Sequence, residues 1–289
     1  MPLVNLKDMM EKANKEKYAV GMFCTFNLAM AQGVLEAAQQ LNSPVILAYA
    51  EVFMPTVDAA VYTNALRTLA QNASVPVAVH LDHGIKYNNI LKAMFLGFTS
   101  VMFDGSQLSL KDNIKRTKEI VDIAAANNIS VEAELGHVGG LTGEYGSGSL
   151  DKQQEAYTQV DEAVEFVDRT GVDVLAVAVG TVHGVYQAEP KLDFDRLRNI
   201  KEAVGIPLAL HGGSGLSGED LKRLIQLGIN KVNIFTDITT AAIDAIKSVT
   251  NAGTREKPYS YMDIEQASIK AIKETALEKI PLLGSSNKG

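Results

Sequence analysis

The segment Val75–Gly84, VPVAVHLDHG, joins an apolar strand pattern to three titratable side chains. Its first half is β-branched and apolar after a proline, which is typical of a strand buried in a core. It then ends in His80, Asp82 and His83. Because a buried carboxylate or imidazole lowers stability unless it has a partner, three such residues at one strand end indicate a functional site.

The chain repeats this unit, an apolar strand followed by a helical pattern, eight times. The predicted strands are Tyr18–Cys24, Pro44–Ala50, Val75–His83, Ser100–Gly105, Ser130–Gly136, Val174–Gly180, Pro207–Gly213 and Lys231–Asp237. Continuously apolar strands imply burial on both faces and therefore a parallel sheet. Eight units in 289 residues predict an α/β fold, a single (β/α)8 TIM barrel with an extra C-terminal helix over Ile264–Ile280. We expect one catalytic domain over residues 1–289.

A doubly wound open sheet is the alternative architecture. Such a sheet usually carries a GxGxxG fingerprint after its first strand, and this sequence has none there. The sequence therefore favours the closed barrel.

The composition is that of an ordinary globular protein, with 46% hydrophobic and 21% charged residues. A net charge of −7 argues against a nucleic acid or an acidic membrane as partner. Cys24 is the only cysteine, so no intrachain disulfide can form. The sequence shows neither a signal-peptide pattern nor an apolar run near the ~20 residues that span a bilayer. We therefore expect a cytoplasmic protein.

All the histidines fall at or just after the carboxyl ends of predicted strands, where a barrel places its active site. They are His80, His83, His137, His183 and His211. Three imidazoles from separate strands, His83, His183 and His211, could bind one metal ion and leave a position open, as catalytic zinc requires. Any one of them could instead be an ordinary hydrogen-bonded histidine. We expect His80 to orient a ligand residue and His137 to face solvent.

The HGGSG segment, His211–Gly215, precedes a helical pattern and suits an anion. Glycines let backbone N–H groups approach an anion, and the amino end of a helix favours negative charge. Barrels commonly bind phosphate in the loops after strands seven and eight, here Gly212–Ser214 and Asn233–Thr236. The only lysine in a predicted strand, Lys231, begins strand eight, away from the carboxyl ends. This placement disfavours Schiff-base chemistry.

One long glycine-rich segment follows the fifth strand. Gly136–Leu150 holds six glycines and few apolar residues, which suits a mobile lid over a barrel active site. A passive surface loop is the alternative.

Six blocks resemble those of the zinc-dependent class II ketose-bisphosphate aldolases, in the order of that family. They are HLDHG (His80–Gly84), SVMFDGS (Ser100–Ser106), VEAELG (Val131–Gly136), GTVHGVY (Gly180–Tyr186), LHGGSG (Leu210–Gly215) and KVNIFTD (Lys231–Asp237). The resemblance covers almost the whole chain and is to the tagatose- and fructose-bisphosphate aldolase branch. It implies reversible cleavage of a ketose 1,6-bisphosphate, or a related ketose 1-phosphate, into dihydroxyacetone phosphate and an aldehyde.

The resemblance also implies roles for particular residues. Zn²⁺ would be bound by His83, His183 and His211, and Asp82 would be the acid and base on the aldehyde oxygen. Asp104 and Glu134 would form a secondary or alternate metal site. The residues implied to hold the dihydroxyacetone phosphate half are Gly184, Gly212, Gly213, Ser214, Asn233, Ile234, Phe235 and Thr236, and Asn27 matches an asparagine that contacts the substrate. A monovalent cation, Na⁺ or K⁺, would lie near the phosphate.

The sequence departs from the family pattern in three places. Leu141 and Thr142 stand where the family often has the glutamate that removes the C3 proton, so Glu144 is the candidate base. Ala50 replaces a Ser or Thr after strand two. The late arginine that can bind the second phosphate is replaced within Lys257–Tyr261, KPYSY. These changes predict an aldehyde other than glyceraldehyde 3-phosphate.

Two other functions stay open on sequence alone. One is a different metal-dependent barrel lyase or hydrolase, and the other is a non-catalytic homologue that acts in assembly. By analogy with the family we expect a homodimer or homotetramer, with Ile264–Ile280 as a contact surface.

Overall fold

Eight parallel strands form a closed barrel in chain order, each pairing with the next and β8 with β1. The computed structural model describes residues 2–139, 157–186, 188–253 and 258–289. The strands are β1 Val20–Cys24, β2 Val45–Ala50, β3 Val77–Gly84, β4 Ser100–Phe103, β5 Ser130–Leu135, β6 Val174–Val177, β7 Leu208–Leu210 and β8 Ile229–Ile234. The predicted (β/α)8 TIM barrel is therefore confirmed.

The helices surround the barrel and follow the strands in alternation. They are α1 Leu6–Glu16, α2 Leu28–Gln40, α3 Ala59–Asn72, α4 Tyr87–Leu96, α5 Leu110–Ala125, α6 Val160–Thr170, α7 Phe194–Val204, α8 Gly218–Gln226, α9 Thr236–Ala252 and α10 Tyr261–Leu282, with a 3₁₀ turn at Glu51–Phe53. Helix α1 lies at the amino ends of the strands, where the Lys7 N–H donates to Ser130 Oγ at the start of β5. Among the described residues, no helix combines the length and apolarity needed to cross a membrane.

The inside of the barrel is polar along alternate strand positions. Glu132 and Glu134 of β5 reach side chains of β7 and β8 across the barrel, whereas the neighbouring Val131 and Ala133 are buried on its other face. Side chains in a strand alternate between its faces, so this spacing of two sets one polar inner row on β5. All residues of β5 are buried, so the glutamates of its inner row are shielded from solvent like its apolar residues.

The predicted bounds of the eighth strand were wrong at both ends. Strand β8 begins at Ile229, two residues before Lys231, and helix α9 begins at Thr236, within the predicted strand Lys231–Asp237. The helix starts early because the Ser214 hydroxyl accepts hydrogen bonds from the N–H groups of Phe235 and Asp237. A side chain from another loop thus caps α9, as a local N-cap residue usually does.

The extra C-terminal helix α10 packs against α2 and α9. Its buried residues are Ile272, Ala276 and Ile280. Gly33 of α2 permits this contact, because a Cβ there would lie 2.7 Å from the backbone oxygen of Ile269. The two helix backbones therefore approach closely at this glycine.

Candidate active site

Three buried imidazoles meet at the carboxyl ends of the strands. His83 is in β3, His183 follows β6, and His211 follows β7 directly. The ring centroids are 5.0 Å apart for His83 and His183, 4.7 Å for His83 and His211, and 5.8 Å for His183 and His211. One nitrogen from each ring lies within 4.8 Å of the other two, so the three could hold a metal ion. The structure thus brings together the three histidines singled out in the sequence.

An irregular backbone in β3 aims His83 into this cluster. Strict alternation would place Asp82 and His83 on opposite faces of the strand. The β3–β4 pairing instead shifts register between Leu81 and Gly84, and His83 has a φ of 45°. A bulge of this kind redirects a side chain, and a left-handed non-glycine residue is a strained feature typical of functional sites. Gly84 follows, where a Cβ would collide with the backbone oxygen of Met102.

Carboxylates orient two of the three rings. Nδ1 of His83 lies 2.9 Å from Asp104 Oδ2, and Nε2 of His211 lies 2.9 Å from Glu132 Oε1. With a proton on each of these nitrogens, the opposite nitrogens, His83 Nε2 and His211 Nδ1, face each other at 3.1 Å. Two lone pairs at that distance repel each other unless a proton or a cation lies between them.

The third ring, that of His183, differs from the other two in its hydrogen bonding. Both nitrogens of His183 are buried and have no partner within the described part of the chain. Buried polar atoms are normally satisfied, so an unpartnered buried imidazole beside two others suits a ligand of a metal ion. The donor set of three histidines fits a metal ion such as Zn²⁺.

The protonation of the three rings differs. Burial holds the pKa values of His183 and His211 well below the usual value, so both are neutral at pH 7. Burial also lowers the pKa of His83, but the carboxylates of Asp82 and Asp104 outweigh that effect and raise it to about 10. A metal ligand must be deprotonated, so metal binding here would release one proton from His83.

A second group of possible ligands shares His83. Asp104 and Glu134 each offer an oxygen within 4.8 Å of the other and of the His83 ring. Glu134 Oε2 lacks a hydrogen bond to any described residue and lies 3.5 Å from His211 Nδ1. Burial, reinforced by Asp104, raises the pKa of Glu134 to about 8. The secondary site implied by the sequence resemblance is thus assembled as a cluster.

Asp82 is buried in the barrel beside this cluster. The Asn233 amide donates to Asp82 Oδ1 at 3.4 Å. Burial raises the pKa of Asp82, because a charged carboxylate is poorly solvated there. A raised pKa favours the protonated carboxyl group, the form that donates a proton in general acid catalysis.

A buried ion pair beneath the histidines was not predicted. Lys231 Nζ lies 3.0 Å from the Glu132 carboxylate and 2.7 Å from Asn233 Oδ1, and both charged groups are fully buried. Lys231 is the third residue of β8, not its first. It therefore connects to His211 through Glu132 and to Asp82 through Asn233. The spacing of two between Lys231 and Asn233 indicates that both lie on the same face of β8, but it does not identify Glu132 or Asp82 as their partners.

The remaining two histidines lie outside the cluster. His80 Nδ1 bonds to Ser100 Oγ at 2.8 Å, and its Nε2 is 3.7 Å from Glu132. Burial lowers the pKa of His80 to about 3, so the ring is neutral. His137 is half-buried and bonds to the Gln107 amide at 2.9 Å.

Loops after β6, β7 and β8 surround a cavity of about 550 Å³. Gly184, Ser214 and Thr236 line it, and Thr236 begins α9. Gly184 and Gly212 have φ values of 93° and 67°, which glycine adopts without strain. The Thr236 hydroxyl is buried with no partner among the residues described, so a polar ligand in the cavity would satisfy it.

Tyr186 ties two of these loops together. Its hydroxyl donates to the Gly212 carbonyl at 2.8 Å and accepts from the Val182 N–H at 3.2 Å. The Gly213 N–H donates to the carbonyl of Asn233, which joins the third loop. The loops after β6, β7 and β8 are therefore one connected framework.

Several predicted binding side chains do not line this cavity. Asn27 is exposed and caps α2, with Oδ1 accepting from the Met30 N–H at 2.9 Å. Ile234 is buried, and the Phe235 ring lies 5.8 Å from that of Phe53. The backbone N–H of Phe235 donates to Ser214 Oγ in the loop after β7.

The candidate base lies outside the described residues. Glu144 and most of the predicted lid Gly136–Leu150 fall in segments that the structure does not describe. Tyr259 is described and exposed.

A barrel that gathers three histidines and two carboxylates at the carboxyl ends of its strands has the donor set of metal-dependent barrel enzymes. A family model described as class II fructose-bisphosphate aldolase matches residues 4–288. The chain therefore belongs to the class II fructose-bisphosphate aldolase family and is an aldolase, an enzyme of the lyase class.

The chain is similar over its full length to several proteins. It is 40% identical over 291 residues to the uncharacterized protein YdjI of Escherichia coli strain K12, covering 99% of each chain. It is 37% identical over 288 residues to the sulfofructosephosphate aldolase of Alkalicoccus urumqiensis, covering 100% of this chain and 99% of that one. It is also 37% identical over 297 residues to a fructose-bisphosphate aldolase of Staphylococcus aureus strain Mu50, with the same coverage.

A solved structure supports the same relation. The crystal structure of the YdjI aldolase from E. coli K12 superposes with a TM-score of 0.86 at 37% identity and covers 99% of each chain. The family expected from the six sequence blocks is therefore confirmed.

Proposed function

We propose that this protein is a zinc-dependent aldolase that reversibly cleaves a ketose 1,6-bisphosphate of the tagatose or fructose type, or a related ketose 1-phosphate. The products are dihydroxyacetone phosphate and an aldehyde. The observation that carries the proposal is the set of three buried imidazoles with one nitrogen each inside 4.8 Å. Relatives named as aldolases for different sugar phosphates agree with the reaction type and leave the aldehyde open.

The residues proposed to hold zinc are His83, His183 and His211, with Asp104 and Glu134 as an alternate site. When bound, zinc supplies a Lewis acid that stabilises the negative charge developing on the substrate's carbonyl oxygen. Asp104 and Glu132 act through the rings by fixing which nitrogen of His83 and His211 faces the centre.

Asp82 is the proposed acid and base on the aldehyde half. In cleavage it accepts the proton of the C4 hydroxyl, and in condensation it returns that proton to the aldehyde oxygen. Its burial and the Asn233 hydrogen bond support this role, because both the neutral and the charged carboxyl are accommodated. Glu144 stays the predicted base at C3.

The large cavity is the proposed site of the dihydroxyacetone phosphate half. The amino end of α9 and the backbone around Gly184 and Ser214 offer N–H groups and a positive helix end to a phosphate. The charge of Asp237 at the same place is paired with Lys279, at 2.6 Å, so it does not oppose an anion in full.

The proposal extends to three properties that need separate tests. These are a homodimer or homotetramer, a cytoplasmic location, and a Na⁺ or K⁺ ion near the phosphate. Light scattering on the purified protein measures the oligomeric state. Activity in buffers with and without Na⁺ or K⁺ tests whether a monovalent cation takes part.

The decisive experiment combines zinc analysis with exchange of the C3 proton of dihydroxyacetone phosphate into deuterated water. We expect about one zinc per chain, exchange detectable by NMR, and loss of exchange in excess EDTA. His183→Ala should lose zinc. The matched control His137→Ala should keep it, because His137 bonds outside the cluster.

Asp82→Asn separates the two halves of the reaction. We expect it to keep zinc and to slow carbon–carbon cleavage by roughly a hundredfold to ten-thousandfold, the usual contribution of a positioned acid or base. Full activity of metal-free protein in EDTA would refute the proposal. Zinc-loaded protein that exchanges no proton would favour a non-catalytic homologue.

A further inference from the structure

A second, smaller cavity adjoins the histidine cluster on the side away from the phosphate loops. It has a volume of about 250 Å³, lies between the loops after β2 and β3, and is lined by His83 itself. The large cavity is lined by Gly184, the residue next to His183 in the loop after β6. A substrate with its phosphate half in the large cavity would therefore extend its other half into this small one.

Glu51 lines the small cavity, and its carboxylate already accepts three hydrogen bonds from the protein. Glu51 accepts hydrogen bonds from the N–H groups of Ile85 at 2.6 Å and Lys86 at 3.0 Å, and from the Asn89 amide at 2.8 Å. The carboxylate sits at the amino end of α4, where a negative charge is stabilised. Glu51 therefore fixes the loop after β3 and offers no strong site to a ligand cation.

The rest of the lining is apolar apart from one cation. Val52, Met54, Pro55 and Ile85 contribute apolar surface, and the exposed lysine Lys86 also lines the cavity. Among the described residues, no carboxylate forms an ion pair with Lys86 Nζ, whereas the nearby Glu51 carboxylate accepts hydrogen bonds from two backbone N–H groups and the Asn89 amide. A cavity of this kind binds a short chain with an anionic end.

We infer that this cavity holds the aldehyde half of the substrate and that Lys86 binds an anionic group, a phosphate or a carboxylate, at the end of the aldehyde remote from its carbonyl. The inference rests on the proposed aldolase function and adds to it the residue that selects the aldehyde. Lys86 would thereby bind the anionic group that the family's late arginine can bind, from another part of the barrel.

The test measures kcat/KM for condensation of dihydroxyacetone phosphate with two matched pairs of aldehydes. Glyceraldehyde 3-phosphate is compared with glyceraldehyde, and succinic semialdehyde with butanal. We expect the zinc-loaded enzyme to prefer the anionic member of at least one pair by roughly tenfold or more, the effect of one charge-assisted hydrogen bond. The pair that shows the preference distinguishes phosphate from carboxylate.

Lys86→Met and Lys86→Gln should remove that preference mainly by raising KM for the anionic aldehyde. Lys86→Arg should keep most of it. The matched control Lys92→Met, an exposed lysine of α4 that does not line the cavity, should keep all of it.

Two outcomes overturn the inference while the proposed function stands. One is a wild-type enzyme that exchanges the C3 proton but uses neutral and anionic aldehydes equally well. The other is an anion preference that survives in Lys86→Met. Absence of proton exchange in the zinc-loaded wild type would instead overturn the proposed function itself.

Discussion

His211 is held in place from beneath by the carboxylate of Glu132, which is in turn paired with Lys231. All three side chains are fully buried. A buried ion pair is a poor source of stability, because desolvation offsets most of the attraction. Its value at this position is orientation, since it determines which nitrogen of His211 faces the other two rings.

Glu132→Gln should weaken zinc binding roughly tenfold to a hundredfold, the usual cost of losing an outer partner of a metal ligand. It should also destabilise the fold, because it leaves the Lys231 ammonium buried without a counter-charge. Competition with a chromophoric chelator measures the zinc affinity, and thermal unfolding of the metal-free protein measures the stability.

The double variant Glu132→Gln with Lys231→Met separates the two effects. Without the buried charges, its stability should recover toward that of the wild type, while its zinc affinity should stay low. Recovery of zinc affinity in the double variant would mean that the pair acts on stability alone.

At the scale of single residues, the sequence predicted which residues form the site better than it predicted where their side chains point. It identified His83, His183 and His211, because histidines at strand ends are unusual. It could not predict that His83 enters the barrel through a left-handed backbone and a register shift, since alternation puts neighbours on opposite faces. The Lys231–Glu132 pair was missed because pairing across a barrel depends on register between distant strands.

At the scale of elements, the close packing of α2 against α10 depends on a glycine at their contact. Gly33 lies in the interior of α2, where glycine costs roughly 0.5–1 kcal/mol relative to alanine. Glycine occurs at this position because a Cβ would lie 2.7 Å from the backbone oxygen of Ile269 in α10. Apolar runs predicted the strands well, but the start of α9 was missed because its cap, Ser214, comes from another loop.

Gly33→Ala should lower the free energy of unfolding by about 1–3 kcal/mol, because overpacking against the Ile269 carbonyl outweighs the gain in helix propensity. The melting temperature measures this change. Gly218→Ala is the control, since its Cβ would meet only the end of the Leu282 side chain, at 3.3 Å. Equal melting temperatures for both variants would contradict the close approach of α2 and α10.

At the scale of the whole molecule, the carboxyl ends of the strands form the candidate site and the amino ends stabilise the fold. The carboxyl ends carry the histidine cluster and both cavities, and the amino ends carry a network of structural hydrogen bonds. Lys201 of α7 belongs to that network, with Nζ donating to Asn14 Oδ1 and the Ile206 carbonyl, both at 2.7 Å. Sequence patterns predicted this division because polar residues gather at one end of the strands.

Lys201 makes the stability of the amino end depend on pH. Burial lowers the pKa of its ammonium from 10.5 to about 8. Between these values the unfolded chain binds more protons than the folded one, so this group adds stability as pH rises. The free energy of unfolding of the wild type, relative to Lys201→Met, should therefore increase from pH 7.5 to pH 10. A difference that stays constant or falls would contradict the pKa shift.

The separation of the three histidines along the chain also bears on biosynthesis. His83 and His211 face each other although 128 positions divide them, and each comes from a different strand of a ring that closes only when β8 reaches β1. No nascent fragment that stops short of β7 contains the full donor set, so zinc would be captured after translation has passed that strand. An ion that binds the three histidines would then stabilise the folded barrel by mass action, because the unfolded chain does not bring them together.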